Sequence, residues 1–229
     1  MTAIAAQNLD SVTAVGRRDL RWNLRRARSE PARAVVVLVA MLRGYWYKRY
    51  YRLRGVRFRA GSSFRVFGAL RVRGPGEVSF GDNIIVGQRA TFVTYDAEAK
   101  IIVGDNVMME GTRIRCMREV VVGRDCLLGE ANITDSDYHG IVGGRRSDSR
   151  PVRTAPVHIA DNVWITPGAA ILAGTRIGRN SVVGCLAVCM RDYPENVIIM
   201  GNPAKPIAPI AGATAAGAAP KSPAPSSSS

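Results

Sequence analysis

The chain has 229 residues, with 32 Lys or Arg against 18 Asp or Glu, a net charge of +14 and 47% hydrophobic residues; that suffices for one buried core and an extension, not for two large domains. Four cysteines, Cys116, Cys126, Cys185 and Cys189, form neither a CxxC pair nor a dense framework, which excludes a disulfide-stapled scaffold and fits small buried residues in a reducing compartment. No secretory leader is evident, and the longest uninterrupted apolar run, 34–42, is too short to span a bilayer as a helix, so a cytoplasmic location is expected.

Residues 1–60 read as a basic, helical N-terminal extension. Residues 17–73 hold seventeen Lys or Arg against only Asp19 and Glu30. Such a segment binds nucleic acid through phosphates or lies on an anionic membrane surface. The apolar run 34–42 and the aromatics Tyr45, Trp46, Tyr47, Tyr50 and Tyr51, flanked by arginines, favour the inner face of a membrane over nucleic acid. The same residues also suit a helix that caps the open end of a repeat array, and the two readings stand side by side.

Residues 61–210 carry a hexapeptide ladder. It starts irregularly, with bulky inward candidates at Phe80, Val86 and Phe92, then Val103 and Met109, then Val122, Leu128 and Thr134. The companion slot holds Ile84, Ala90, Val107 and Cys126, whereas Asp96, Arg113 and Asn132 fit it poorly. From Ile159 the period is regular: Ile159, Ile165, Ile171, Ile177 and Val183, then the smaller Cys189, with Val163, Ala169, Thr175, Ser181 and Ala187 as companions. A period of six matches neither an α-helix nor an ordinary strand and predicts a parallel β-helix, three flat sides to a coil of about eighteen residues. Triplets such as Gly81-Asp82-Asn83, Gly104-Asp105-Asn106, Gly123-Arg124-Asp125 and Ala160-Asp161-Asn162 supply corner residues that tolerate positive φ.

Between Thr134 and Ile159 the repeat breaks. An insertion this long in a regular solenoid is a candidate for function. It holds His139, one of only two histidines, with Asp135 and Asp137 beside it. A neutral imidazole takes a proton from a hydroxyl at physiological pH, and a carboxylate can orient the ring and raise its basicity. The alternative is a loop whose Asp and Ser residues cap turns around an exposed histidine. His158, next to the inward Ile159, reads as a wall residue. Residues 211–229, rich in Ala, Gly, Pro and Ser, read as a disordered tail.

Over about 80–207 the sequence resembles the hexapeptide-repeat O-acyltransferases, which include the galactoside, maltose and capsule-sugar acetyltransferases. The resemblance is carried by the loop histidine and by three strings: His158-Ile159-Ala160-Asp161-Asn162-Val163-Trp164-Ile165, Ile177-Gly178-Arg179-Asn180-Ser181-Val182-Val183-Gly184, and Gly201-Asn202-Pro203-Ala204-Lys205. It implies a left-handed β-helix, against the usual right-handed crossover, and a homotrimer with active sites between subunits. It also implies acyl transfer from acetyl-CoA or another acyl-CoA to a sugar or glycan hydroxyl, with His139 as general base and no metal expected. Trp164, Thr166, Cys185, Met190, Arg191 and Lys205 fall at positions resembling the family's CoA channel, the two cations suiting phosphates. Thr166-Pro167 stands where a Gly is common, and Cys185 and Met190 where Ala and Thr are common. Two other readings compete: a basic scaffold or nucleic-acid-binding solenoid, and a γ-class carbonic anhydrase, whose zinc site needs three imidazoles where this chain offers His139 and His158.

Overall fold

The structure, a computed structural model, describes residues 31–137, 139 and 152–210. The first thirty residues of the basic extension, most of the loop beyond Asp137 and the 211–229 tail lie outside the described residues.

The ladder folds as predicted into a three-sided, left-handed parallel β-helix, with sheets of seven, eight and six strands stacked coil on coil. Each sheet contributes one inward column. On the first, Phe80, Val103, Val122, Ile159, Ile177 and Tyr193 lie in register. On the second, Val66, Val86, Met109, Leu128, Ile165, Val183 and Ile199 do so. All are buried. Each large aliphatic side chain withdrawn from water contributes about 1.5–3 kcal/mol, so the core is a continuous rod that no single coil could maintain.

The third column corrects the upstream reading. It runs Val72, Phe92, Ile114, Ile133, Ile171 and Cys189, so Ile133 rather than Thr134 points inward. The steps from Met109 to Ile114 and from Leu128 to Ile133 are one residue shorter than the hexapeptide step. That deletion at the second-to-third corner explains the poor fits of Arg113 and Asn132, whereas Asp96 stands in a lengthened step between Phe92 and Val103 at the third-to-first corner. Thr112 and Ala131 occupy the companion slots and are buried, while Arg113 and Asn132 face solvent, as does Asp96.

At the C-terminal end, Val197–Gly201 closes the second sheet by pairing antiparallel with Ala204–Pro209. At the N-terminal end a 23-residue helix, Pro31–Leu53, lies against the first coil. Gly44 is required there, because a Cβ on it would stand 1.9 Å from the Phe64 carbonyl oxygen. Tyr51 Oη donates to Leu70 O (3.0 Å) and accepts from Val72 N (2.9 Å), and Lys48 Nζ donates to Gly61 O (3.0 Å). The Tyr51 ring continues the core through a chain of edge-to-face contacts with Phe58, Phe80 and Phe92. One side of the helix is therefore a cap, which satisfies sheet-edge groups that would otherwise be buried unpaired.

Candidate functional site

The coil opens at the corner between the third and first sheets, where strand Asn132–Thr134 ends and strand Val157–Ile159 begins. The two stems of the loop pair with each other. Ser136 bridges Thr154 in antiparallel fashion, Asp137 N donates to Arg153 O (3.2 Å), and Ala155 N donates to Asp135 O (2.9 Å). The return stem is tied to the next coil by Gly174 N donating to Ala155 O (3.0 Å). His139 stands just past this paired root, exposed, its own N–H bonded to Asp137 O at 2.7 Å. The paired stem thus carries His139 at its exposed end.

The two candidate carboxylates have different surroundings. Asp135 is fully buried, and its oxygens accept from the backbone N–H groups of Met117 (2.8 Å), Arg118 (2.6 Å) and Glu119 (2.8 Å). Those amides belong to the previous coil at the same corner, so Asp135 fastens the root of the loop to the wall beneath it. The Cys116 Sγ donates to the same carboxylate at 3.3 Å. Asp137 is exposed and lies at the histidine's end of the root. His158 is a wall residue, its Nε2 3.7 Å from Glu119 Oε1.

The residues resembling a CoA channel fall on two separate edges. Trp164 points out from the second sheet, 49% exposed, between Leu127 and Val182 on the neighbouring strands. Thr166 and Cys185 follow at the second-to-third corner, one coil apart. Thr166 is buried and its hydroxyl donates to Val183 O (2.7 Å), whereas Cys185 is exposed. Met190 and Arg191 lie at the third-to-first corner, the corner from which the loop departs, and both are exposed. Lys205 is exposed on the closing strand, paired with Met200. One chain therefore does not gather these residues with His139 on a single edge.

The four thiols differ in their surroundings. Burial pushes Cys126 and Cys189 up to about 11, and burial beside the Asp135 carboxylate pushes Cys116 higher still. Cys185 is the exposed one.

Two residues escaped the sequence reading. Leu186 has a positive φ of 59° and is 73% exposed beside Cys185, at the corner where the preceding coil places Gly168. The corner spacing was the available signal. Glu110 lies at the same corner as Thr166; one carboxyl oxygen is buried without a hydrogen-bond partner, and burial raises its pKa. Its only sequence signal was a charged residue next to the inward Met109.

No family model matches the chain. Over 52 residues it is 54% identical to a protein of Saccharomyces cerevisiae provisionally named an acetyltransferase, a stretch covering 23% of this chain and 26% of that one. The chain thus spans about a quarter of the length of this relative. Over 143 residues it is 29% identical to WbbJ of Escherichia coli, provisionally named a lipopolysaccharide biosynthesis O-acetyl transferase, covering 58% of this chain and 72% of that one. Among solved structures it is similar to AntD, an N-acyltransferase from Bacillus cereus in complex with dTDP-4-amino-4,6-dideoxyglucose and coenzyme A. There the TM-score is 0.57 at 16% identity, covering 70% of this chain and 88% of that one, a likeness that shows the fold. In sequence and in fold, the chain is a hexapeptide-repeat protein similar to the acetyltransferases.

Proposed function

We propose that the protein is an acyl-CoA-dependent O-acyltransferase that moves an acetyl group from acetyl-CoA to a sugar hydroxyl in glycan or glycolipid assembly. The observation that carries this reading is the loop root, which holds an exposed histidine at the longest interruption of the coil. In the reaction, a ring nitrogen of His139 takes the proton of the acceptor hydroxyl while the oxygen attacks the thioester carbonyl. The tetrahedral intermediate then collapses, the C–S bond breaks, and the imidazolium returns the proton to the departing thiolate. Arg191 and Lys205 would meet the phosphates of the CoA and Trp164 its thiol arm. The names of the relatives support a saccharide acceptor, since one is linked to lipopolysaccharide biosynthesis and another was solved with a nucleotide sugar.

The split of these residues between two edges supports a homotrimer. In such a trimer the loop edge of one subunit would face the Trp164 sheet of its neighbour and complete the constellation between them. Light scattering is expected to report three chains, and a monomer at micromolar concentration would sink the shared site.

The direct test is release of free CoA thiol from acetyl-CoA on addition of sugar acceptors, together with alkylation of Cys185 with and without CoA. Transfer to at least one sugar and slower alkylation in the presence of CoA are expected. Absence of thiol release across the acceptor panel, with alkylation unaffected by CoA, would overturn the reading in favour of a non-enzymatic solenoid.

A further inference from the structure

The helix Pro31–Leu53 is apolar on two opposite sides, and the solenoid covers only one. At 3.6 residues per turn, Val37, Ala40, Gly44, Tyr47 and Tyr51 share the side turned to the first coil. Val35, Leu38, Val39, Leu42, Tyr45 and Trp46 fall on the side turned away, and they are 48% to 68% exposed. A helix that is apolar all round is normally enclosed, and a contiguous outward patch of this kind marks an interaction surface.

Charge decides between possible occupants. Residues 31–73 carry eleven Lys or Arg and no Asp or Glu. Arg49 continues the outward stripe one turn beyond Tyr45 and Trp46, and Arg52, Arg54, Arg71 and Arg73 are exposed at the same end of the solenoid. A second copy meeting this face with its own would bring cation against cation. An anionic lipid surface matches every part: acyl chains for the aliphatic stripe, the headgroup boundary for Tyr45, Trp46 and Tyr50, and phosphates for the arginines. No helix among the described residues is long and apolar enough to cross a membrane, so the fitting geometry is a helix lying in the interface.

We propose that the outward face of this helix docks the protein on an anionic membrane surface, while its inner face caps the solenoid. The proposal uses none of the residues of the transfer reaction and stands apart from that reading.

The test is sedimentation of the full chain with vesicles of phosphatidylcholine, with and without phosphatidylglycerol. Binding is expected only with phosphatidylglycerol, and it should fall as salt rises, because screening confines surface attraction to about a Debye length. The double variant L42E/W46E should lose about a hundredfold in partitioning, roughly tenfold for each large apolar side chain withdrawn, with thermal melting and mass unchanged. R49E/R52E, which touches no apolar contact, should weaken binding and leave melting unchanged. Three results would overturn the proposal: a full chain that ignores phosphatidylglycerol vesicles, variants that sediment like the parent, or an L42E/W46E protein that drops to a smaller oligomer while keeping its vesicle binding. The last would make the outward face a contact between subunits.

Discussion

The corner between the first and second sheets is built alike in coil after coil, whereas the corner between the third and first is opened once by a loop of about two dozen residues. At the first of these corners, Asn83, Asn106, Asp125, Asn162, Asn180 and Asn196 all adopt φ between 55° and 60°. Their side chains form a ladder: Asn83 Nδ2 donates to Asn106 Oδ1 (2.7 Å), Asn106 to Asp125 (3.1 Å), Asn162 to Asn180 (2.9 Å) and Asn180 to Asn196 (3.0 Å). Here residue choice serves the backbone, because Asn tolerates the left-handed region and its amide both donates and accepts. At the other corner, residue choice serves the loop. The difference teaches that a solenoid can carry chemistry at one corner because its other corners hold the register.

The largest expected effect separates the two corners by activity. His139→Ala should lower acyl transfer by about a hundredfold to ten-thousandfold, the usual contribution of a general base, while melting and CoA binding stay as they were. A variant that turns over at near the parental rate would remove His139 as the base. Asp137→Asn should cost less if that carboxylate orients the ring.

The next effect tests whether the loop is anchored as rigidly as the ladder. Asp135→Ala leaves the amides of Met117, Arg118 and Glu119 without their buried acceptor, and about 3 kcal/mol of stability should be lost in denaturant titration. An unchanged midpoint would show that water replaces the carboxylate and that the root is not fastened there.

These roles were unequally legible in the sequence. Coils from Ile159 to Cys189 could be read because each side keeps the six-residue step. The coils around Ile114 and Ile133 could not, because a side shortened by one residue turns the whole alternation over, as any one-residue slip in a strand does. Asp135 looked like a partner for the nearby histidine, yet its amides lie 16 to 18 residues upstream, a separation that only the stacking of coils makes short. His158 was read correctly as wall. The basic helix gave two readings from one composition, and the structure shows why: it is apolar on two opposite sides, one packed on the first coil and one exposed, and composition does not distinguish sides. The candidate CoA residues were a set in sequence, but their division between two edges follows from which corner each occupies.

The smallest effect compares the corners by conformation alone. Asn106→Ala removes two rungs of the ladder and places an L-residue without a compensating amide at positive φ, for a cost of about 2 kcal/mol. Leu186→Gly runs the arithmetic the other way. Leu186 sits at φ 59° with most of its side chain in solvent, so little packing offsets the left-handed backbone, and glycine should raise stability by about 1 kcal/mol. If Leu186→Gly instead lowers the melting temperature, the contact of Leu186 above Gly168 outweighs the backbone term. If it raises the melting temperature but weakens CoA binding, the strained leucine beside Cys185 is retained for the ligand rather than for the coil, as expected where strain collects at functional sites.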